Sequence, residues 1–261
     1  MSKKQQLKKA KREGGIPGEI ALSTSQIKQD PLNFKKVRLV MAITLAAFAF
    51  VLYAQTIGFD YTLDDRASIS ENRIVKQGLQ GIPTLFTTDY WYGYSEKLRG
   101  TQYRPVSLVM FAIEWQMFPQ NAGVSHFINV LLYALTGLFL FFLLSKLFSA
   151  QNLLLPFLCT ILFIGHPIHT EVVSNIKSRD EIMCLLFSIA AMLSSFKYYS
   201  GKNLLWLILT GVFFFLSILS KETGIAFLLV IPLIVFVVRP TDIKKLFLLF
   251  ITLAAFSGLY F

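Results

Sequence analysis

Along the chain, apolar runs near residues 39–57, 127–145, 153–165, 182–196, 204–219, 225–238 and 246–261 alternate with short polar connections. One membrane crossing takes about 20 largely apolar residues, so the pattern predicts about seven spanning helices. The third run, Leu153–Gly165, is short for a crossing, which places its end below the surface or among protein neighbours. If each run crosses once, alternate connections share a side. The longest connection, residues 59–125, is the first loop on its side, with a short helix expected around Arg73–Leu79. Within it, Val106–Phe118 is apolar except for Ser107, Glu114 and Gln116, and is flanked by Arg104 and Pro119. That stretch is too short to cross. It is predicted to lie along the boundary with its apolar face against lipid or the bundle. The last run is still apolar at Phe261, so the chain is expected to be cut short within a span.

Composition supports a bilayer environment: 54% of the 261 residues are hydrophobic and 25 are Phe. Soluble domains run at roughly 45–50% apolar with Gly included. The net charge of +10 would point to nucleic acid in a soluble protein, but its distribution excludes that partner. Ten Lys and Arg lie in residues 1–38, and Lys146, Lys197, Lys202, Arg239, Lys244 and Lys245 follow in the alternate connections. Only Glu13, Glu19, Asp30 and Asp242 oppose them. The other side holds nine basic and eleven acidic residues. By the positive-inside rule the amino terminus is cytoplasmic and the 59–125 loop extracytoplasmic. Residues 1–36 read as a flexible basic tail near anionic lipid, and 37–261 as the membrane domain. The predicted fold class is an all-α integral membrane bundle with short interfacial helices in its first outer loop. Cys159 and Cys184 fall inside apolar runs and read as small core residues.

The titratable motifs all fall on the outward side. Asp64-Asp65 follows the first span. Adjacent carboxylates near a low-dielectric boundary repel, which raises one pKa and suits a general base or metal ligand; a turn or helix cap is the alternative. His166, His169 and Glu171 cluster where the third run ends. They suit a divalent metal or hydrogen bonds to a sugar or phosphate, although they lack the i, i+4 pairing of a helical zinc motif. Arg179 offers a fork for a phosphate, or else an ion pair with Asp180 or Glu181. Lys221-Glu222 lies in a very short connection, where the pair either snorkels or faces a polar cavity. Arg104 is similar. His126 shares a helix face with Asn129 and reads as a site residue or a structural hydrogen-bonder.

Together these pieces resemble a known family. Phe59-Asp60-Tyr61-Thr62-Leu63-Asp64-Asp65, Phe86-x-x-Asp89-Tyr90-Trp91, Tyr103-Arg104-Pro105-Val106-Ser107, His126-x-x-Asn129-x-x-x-Tyr133 and Lys221-Glu222-x-Gly224-Ile225 are similar to segments of the membrane O-mannosyltransferases that carry tetratricopeptide repeats. The most specific block is Phe163-x-x-His166-Pro167-Ile168-His169-Thr170-Glu171. The resemblance covers residues 59–226 and extends to prokaryotic relatives with the same membrane half. It implies a GT-C glycosyltransferase fold, a polyprenyl-phosphate sugar donor, a protein or glycan acceptor, and a catalytic acid matching Asp64 with Asp65 as its partner. Arg104, Arg179 and Lys221 would then face the departing phosphate, with His126, His166, His169, Glu171 and Glu222 around the donor. No nucleotide is expected without a Gly-rich phosphate loop, and a divalent metal remains open. The membrane is the bacterial inner membrane, or the endoplasmic reticulum in a eukaryote. The repeats themselves are absent from residues 1–261. The rival readings are a proton-coupled transporter, a non-catalytic membrane scaffold and a metal-dependent lipid-phosphate hydrolase.

Overall fold

In the computed structural model, residues 31–98, 100, 102–148, 152–201, 203–239 and 242–260 are described, and among them every regular element is helical. The basic tail expected over 1–36 lies, up to residue 30, outside them. Each of the seven apolar runs folds as a helix. They are α1 (Pro31–Tyr53), α4 (Ala122–Leu147), α5 (Leu154–Ile164), α7 (Arg179–Gly201), α8 (Leu204–Ser220), α9 (Phe227–Val238) and α10 (Ile243–Gly258). Among the described residues, three helical stretches are long and apolar enough to cross a membrane: Asn33–Gly58, Ala122–Leu147 and Ile176–Gly201. The run expected to be short is short. At 11 residues α5 rises only about 16 Å.

Local chemistry sets the helix ends. The side chains of Asn121, Asn203 and Asp242 accept from backbone N–H groups of Val124, Leu205 and Lys245 and so cap α4, α8 and α10. Inside the apolar helices, hydroxyls return to the carbonyl four residues back, as in Thr136 to Leu132, Thr160 to Pro156 and Thr210 to Trp206. This satisfies them where no water is present.

α1 buries a stripe of Ala42, Leu45, Ala49 and Tyr53, and leaves Leu39, Val40, Ile43 and Val51 outward. Tyr53 and Phe50 meet α4 edge-on at Tyr133 and Phe127. α7 is the axle, with 78% of its apolar window buried against 22% for α1. It packs on α4 and α8, and Phe196, Phe214, Ile231, Val235, Leu249 and Leu253 close one core across α7 to α10. Gly211 on α8 faces the Phe256 ring so closely that an added Cβ would collide with it, which fixes how near α10 approaches.

The 59–125 loop forms a second core. It holds a wide turn (Arg66–Ser70), a 3-10 segment (Val75–Gly81) where one helix was expected, α2 (Ile82–Leu85), a short turn (Glu96–Leu98) and α3 (Pro105–Met117). Leu108, Phe111 and Ala112 of α3 pack with Tyr61, Ile69, Val75, Leu85 and Tyr90. The apolar face of α3 therefore covers the loop's own core and the ends of the bundle helices, rather than lipid alone.

Candidate functional site

The acid pair sits on a turn forced by strained backbone. Leu63 adopts φ +41°, the left-handed region that a branched side chain avoids. Its neighbours diverge: Asp64 is exposed, while Asp65 has no exposed surface. Asp65 accepts from Lys177 N at 2.7 Å, Thr62 N at 3.1 Å and Thr62 Oγ1 at 3.3 Å. It thereby ties the loop entrance to the 3-10 turn Ile176–Ser178 that leads into α7. Burial holds the Asp65 carboxyl above its ordinary range, although these bonds and the nearby His126 act the other way. The expected mutual repulsion of the two acids is therefore not the cause. Among the described residues Asp64 makes no hydrogen bond or ion pair, which leaves it accessible to a ligand.

Three consecutive residues at the head of α7 then reach three different elements. Arg179 has no exposed surface. Its guanidinium forks onto Glu114 of α3, donates to Asn129 Oδ1 at 2.7 Å and to the Ser125 carbonyl at 2.9 Å, and lies 4.5 Å over the Phe111 ring. Asp180 accepts from Arg104 at 2.7 Å, and Arg104 also forks onto Glu222 at 2.8 and 2.5 Å. Glu181 pairs with Lys221. The head of α7 is thus bound to both ends of α3, to α4 and to the α8–α9 junction. A buried ion pair is stable only when its remaining donors and acceptors are also met, and each here has further partners.

His169 opens the short helix α6 (His169–Ser174); its ring packs at a tilt on Phe163, ring centres 4.4 Å apart, and lies 5.7 Å from Tyr133. Burial and the neighbouring His166 lower its pKa. His166 is exposed and its Nδ1 accepts from Ile168 N at 3.2 Å. Glu171 is exposed. His126 is 1% exposed, edge-on to Phe59 and within electrostatic reach of Asp65, and neither ring nitrogen has a hydrogen-bond partner among the described residues.

The structure thus gathers Asp65, His126, Arg179, Arg104, Glu222 and Lys221 around the head of α7 and the loop core. Among the described residues the side chains of His166, His169 and Glu171 make no hydrogen bond or ion pair to that group. The phosphate forks expected of Arg179 and Arg104 are corrected here: carboxylates of the protein itself fill both. Arg179 pairs with Glu114, neither Asp180 nor Glu181. Among the described residues no three His, Cys, Asp or Glu side chains converge as metal ligands. Glu114, Asp180 and Lys177 went unassigned in the sequence. The one signal for Glu114 was a lone acid in an otherwise apolar helix.

These features define a multi-span helical membrane protein whose carboxylate-paired cations Arg104, Arg179 and Lys221 lie together at one end of the bundle. No family model and no solved structure matches the chain. Among curated proteins it is similar to protein O-mannosyl-transferase F38B6.6 of Caenorhabditis elegans, 30% identical over 189 residues that make up 70% of this chain and 26% of the relative. It is also similar to protein O-mannosyl-transferase TMTC3 of Mus musculus, 27% identical over 202 residues, 76% of this chain and 21% of the relative. Protein O-mannosyl-transferase TMTC2 of Homo sapiens is 29% identical over 222 residues, 80% of this chain and 25% of the relative. The chain spans about a quarter of the length of the curated relatives it matches.

Proposed function

We propose that the chain carries the membrane part of a GT-C glycosyltransferase, which moves a mannose-type sugar from a polyprenyl-phosphate donor to a Ser or Thr hydroxyl of a protein. The observation that carries this reading is the split acid pair, one carboxylate buried as an anchor and the next turned outward. The similarity to proteins named O-mannosyl-transferases supplies the reaction class. Asp64 removes the acceptor proton, the hydroxyl oxygen bonds to the anomeric carbon, and the carbon–oxygen bond to phosphate breaks with inversion. The phosphate charge passes to Lys221, whose partner Glu181 is 43% exposed and free to swing into water. Arg104, Arg179 and Glu222 act as positioning residues that hold the loop on α7. His126 sits behind Asp65, and His166, His169 and Glu171 orient the donor. The charge bias supports an extracytoplasmic position for this end.

The test uses membranes containing the full chain, labelled polyprenyl-phosphate mannose and a Ser/Thr-rich peptide. Asp64→Asn is expected to lower transfer by at least about 100-fold, the general-base contribution, with the thermal midpoint unchanged. Transfer at near wild-type rate in that variant removes Asp64 from the reaction.

A further inference from the structure

The end of the bundle away from Asp65 carries charges of a different kind. Arg38 on α1, Lys146 in the last turn of α4, Lys197 on α7 and Arg239 after α9 share one neighbourhood, because the charges acting on Lys146 are those of Lys197, Arg239 and Arg38. Among the described residues none of these four cations pairs with a carboxylate, whereas Arg104, Arg179 and Lys221 all do. The heads of three of them lie on rings instead. Arg38 sits 4.8 Å from the Phe142 centre, Lys197 3.9 Å from Trp206 and Arg239 5.6 Å from Phe196. The Nε atoms of Arg38 and Arg239 are buried with no hydrogen-bond partner. Beside Arg38, Lys146 and Lys197 lies a cavity of about 370 Å³, walled by Phe139, Phe142, Leu193, Trp206 and Phe213.

The positive-inside bias accounts for basic residues at this surface, since such charges need only reach water. It does not account for three cations without carboxylate partners, Arg38, Lys146 and Lys197, lining one aromatic cavity. Buried donors without acceptors are costly, and like charges this close repel. A molecule with an anionic head and an apolar tail satisfies both halves of the site, and basic pockets between spanning helices suit lipid phosphates. We propose that this cavity binds one anionic diacyl phospholipid, with its phosphate between Arg38, Lys146, Lys197 and Arg239 and an acyl chain against Phe139 and Phe213. The site stands apart from the reaction proposed for the other end.

The full chain in detergent is mixed with phosphatidylglycerol, phosphatidylcholine of the same acyl chains, polyprenyl phosphate or inorganic phosphate, and bound species are read by native mass spectrometry. Phosphatidylglycerol is expected to bind at least tenfold tighter than phosphatidylcholine, with no adduct from inorganic phosphate. The paired change Lys146→Gln with Lys197→Gln removes that preference, while Lys244→Gln, a residue outside the cavity, leaves it. Phosphatidylglycerol with brominated chains tests the unmutated chain. It is expected to quench tryptophan emission through Trp206 more than brominated phosphatidylcholine does. Equal binding or quenching by the two lipids, or a preference surviving the paired change, overturns the proposal. Tighter binding of polyprenyl phosphate than of phosphatidylglycerol overturns the choice of ligand.

Discussion

Arg179 and Glu114 meet through both terminal nitrogens of the guanidinium, 65 residues apart in the chain and shut away from solvent. Ser125 Oγ donates to the same carboxylate at 2.7 Å, and Asn129 accepts from Arg179 while donating to the carbonyls of Asn175 and Ile176. The first loop is thereby fastened to α4 and α7 by ionic and polar contacts as well as by its apolar core.

Removing one member of this pair strands a buried charge. Arg179→Met or Glu114→Leu alone is expected to cost about 3–5 kcal/mol, and the two together much less than the sum. Unfolding midpoints in detergent for the four proteins of the cycle measure this. Additive losses would show that the two residues act independently.

Arg104 places one planar fork on Glu222 and a third nitrogen on Asp180. A lysine keeps the charge and loses the fork, so Arg104→Lys is expected to destabilise by about 1.5–3 kcal/mol. Transfer should fall with the folded fraction, and donor KM should stay within a factor of about two for a group that touches only protein. A large rise in KM at normal stability would return Arg104 to the donor.

The two halves of the acid pair should separate by readout. Asp65→Ala leaves the amide N–H of Thr62 without its acceptor and that of Lys177 with Asn175 Oδ1 alone, at about 1–3 kcal/mol, and appears as lost stability. Asp64→Asn appears as lost rate alone. Matching stability losses in both variants would contradict the exposed and anchoring roles.

His169 titrates below the ordinary histidine value because it is partly buried and faces His166. Its depressed folded pKa means that the unfolded chain takes the proton more readily. Stability is therefore fully present above about pH 6.5 and is lost as pH falls through the folded value. His169→Phe keeps an aromatic ring against Phe163 and removes the proton. The wild-type midpoint is expected to drop more than the variant's between about pH 7.5 and 5.5. Parallel pH profiles would exclude this coupling.

The apolar periodicity alone fixed the helices. A bilayer leaves a backbone few ways to satisfy itself, so runs such as 127–145 and 182–196 could be marked from hydropathy, and α5 was legible as the short one. Asp64-Asp65, Arg104 and the His166 block stood out as candidates for chemistry, because ionised residues at a membrane boundary are costly unless used. Their partners were not. Nothing in one dimension says that Arg179 meets Glu114, that Arg104 reaches across 118 residues to Glu222, or that Asp65 turns inward while Asp64 turns out. Those choices were made when the 59–125 loop folded over its own core and set α3 against the head of α7. Hydropathy reports the partition between lipid and water, residue by residue. Pairing among charges depends on distance and burial, which exist only in the folded chain.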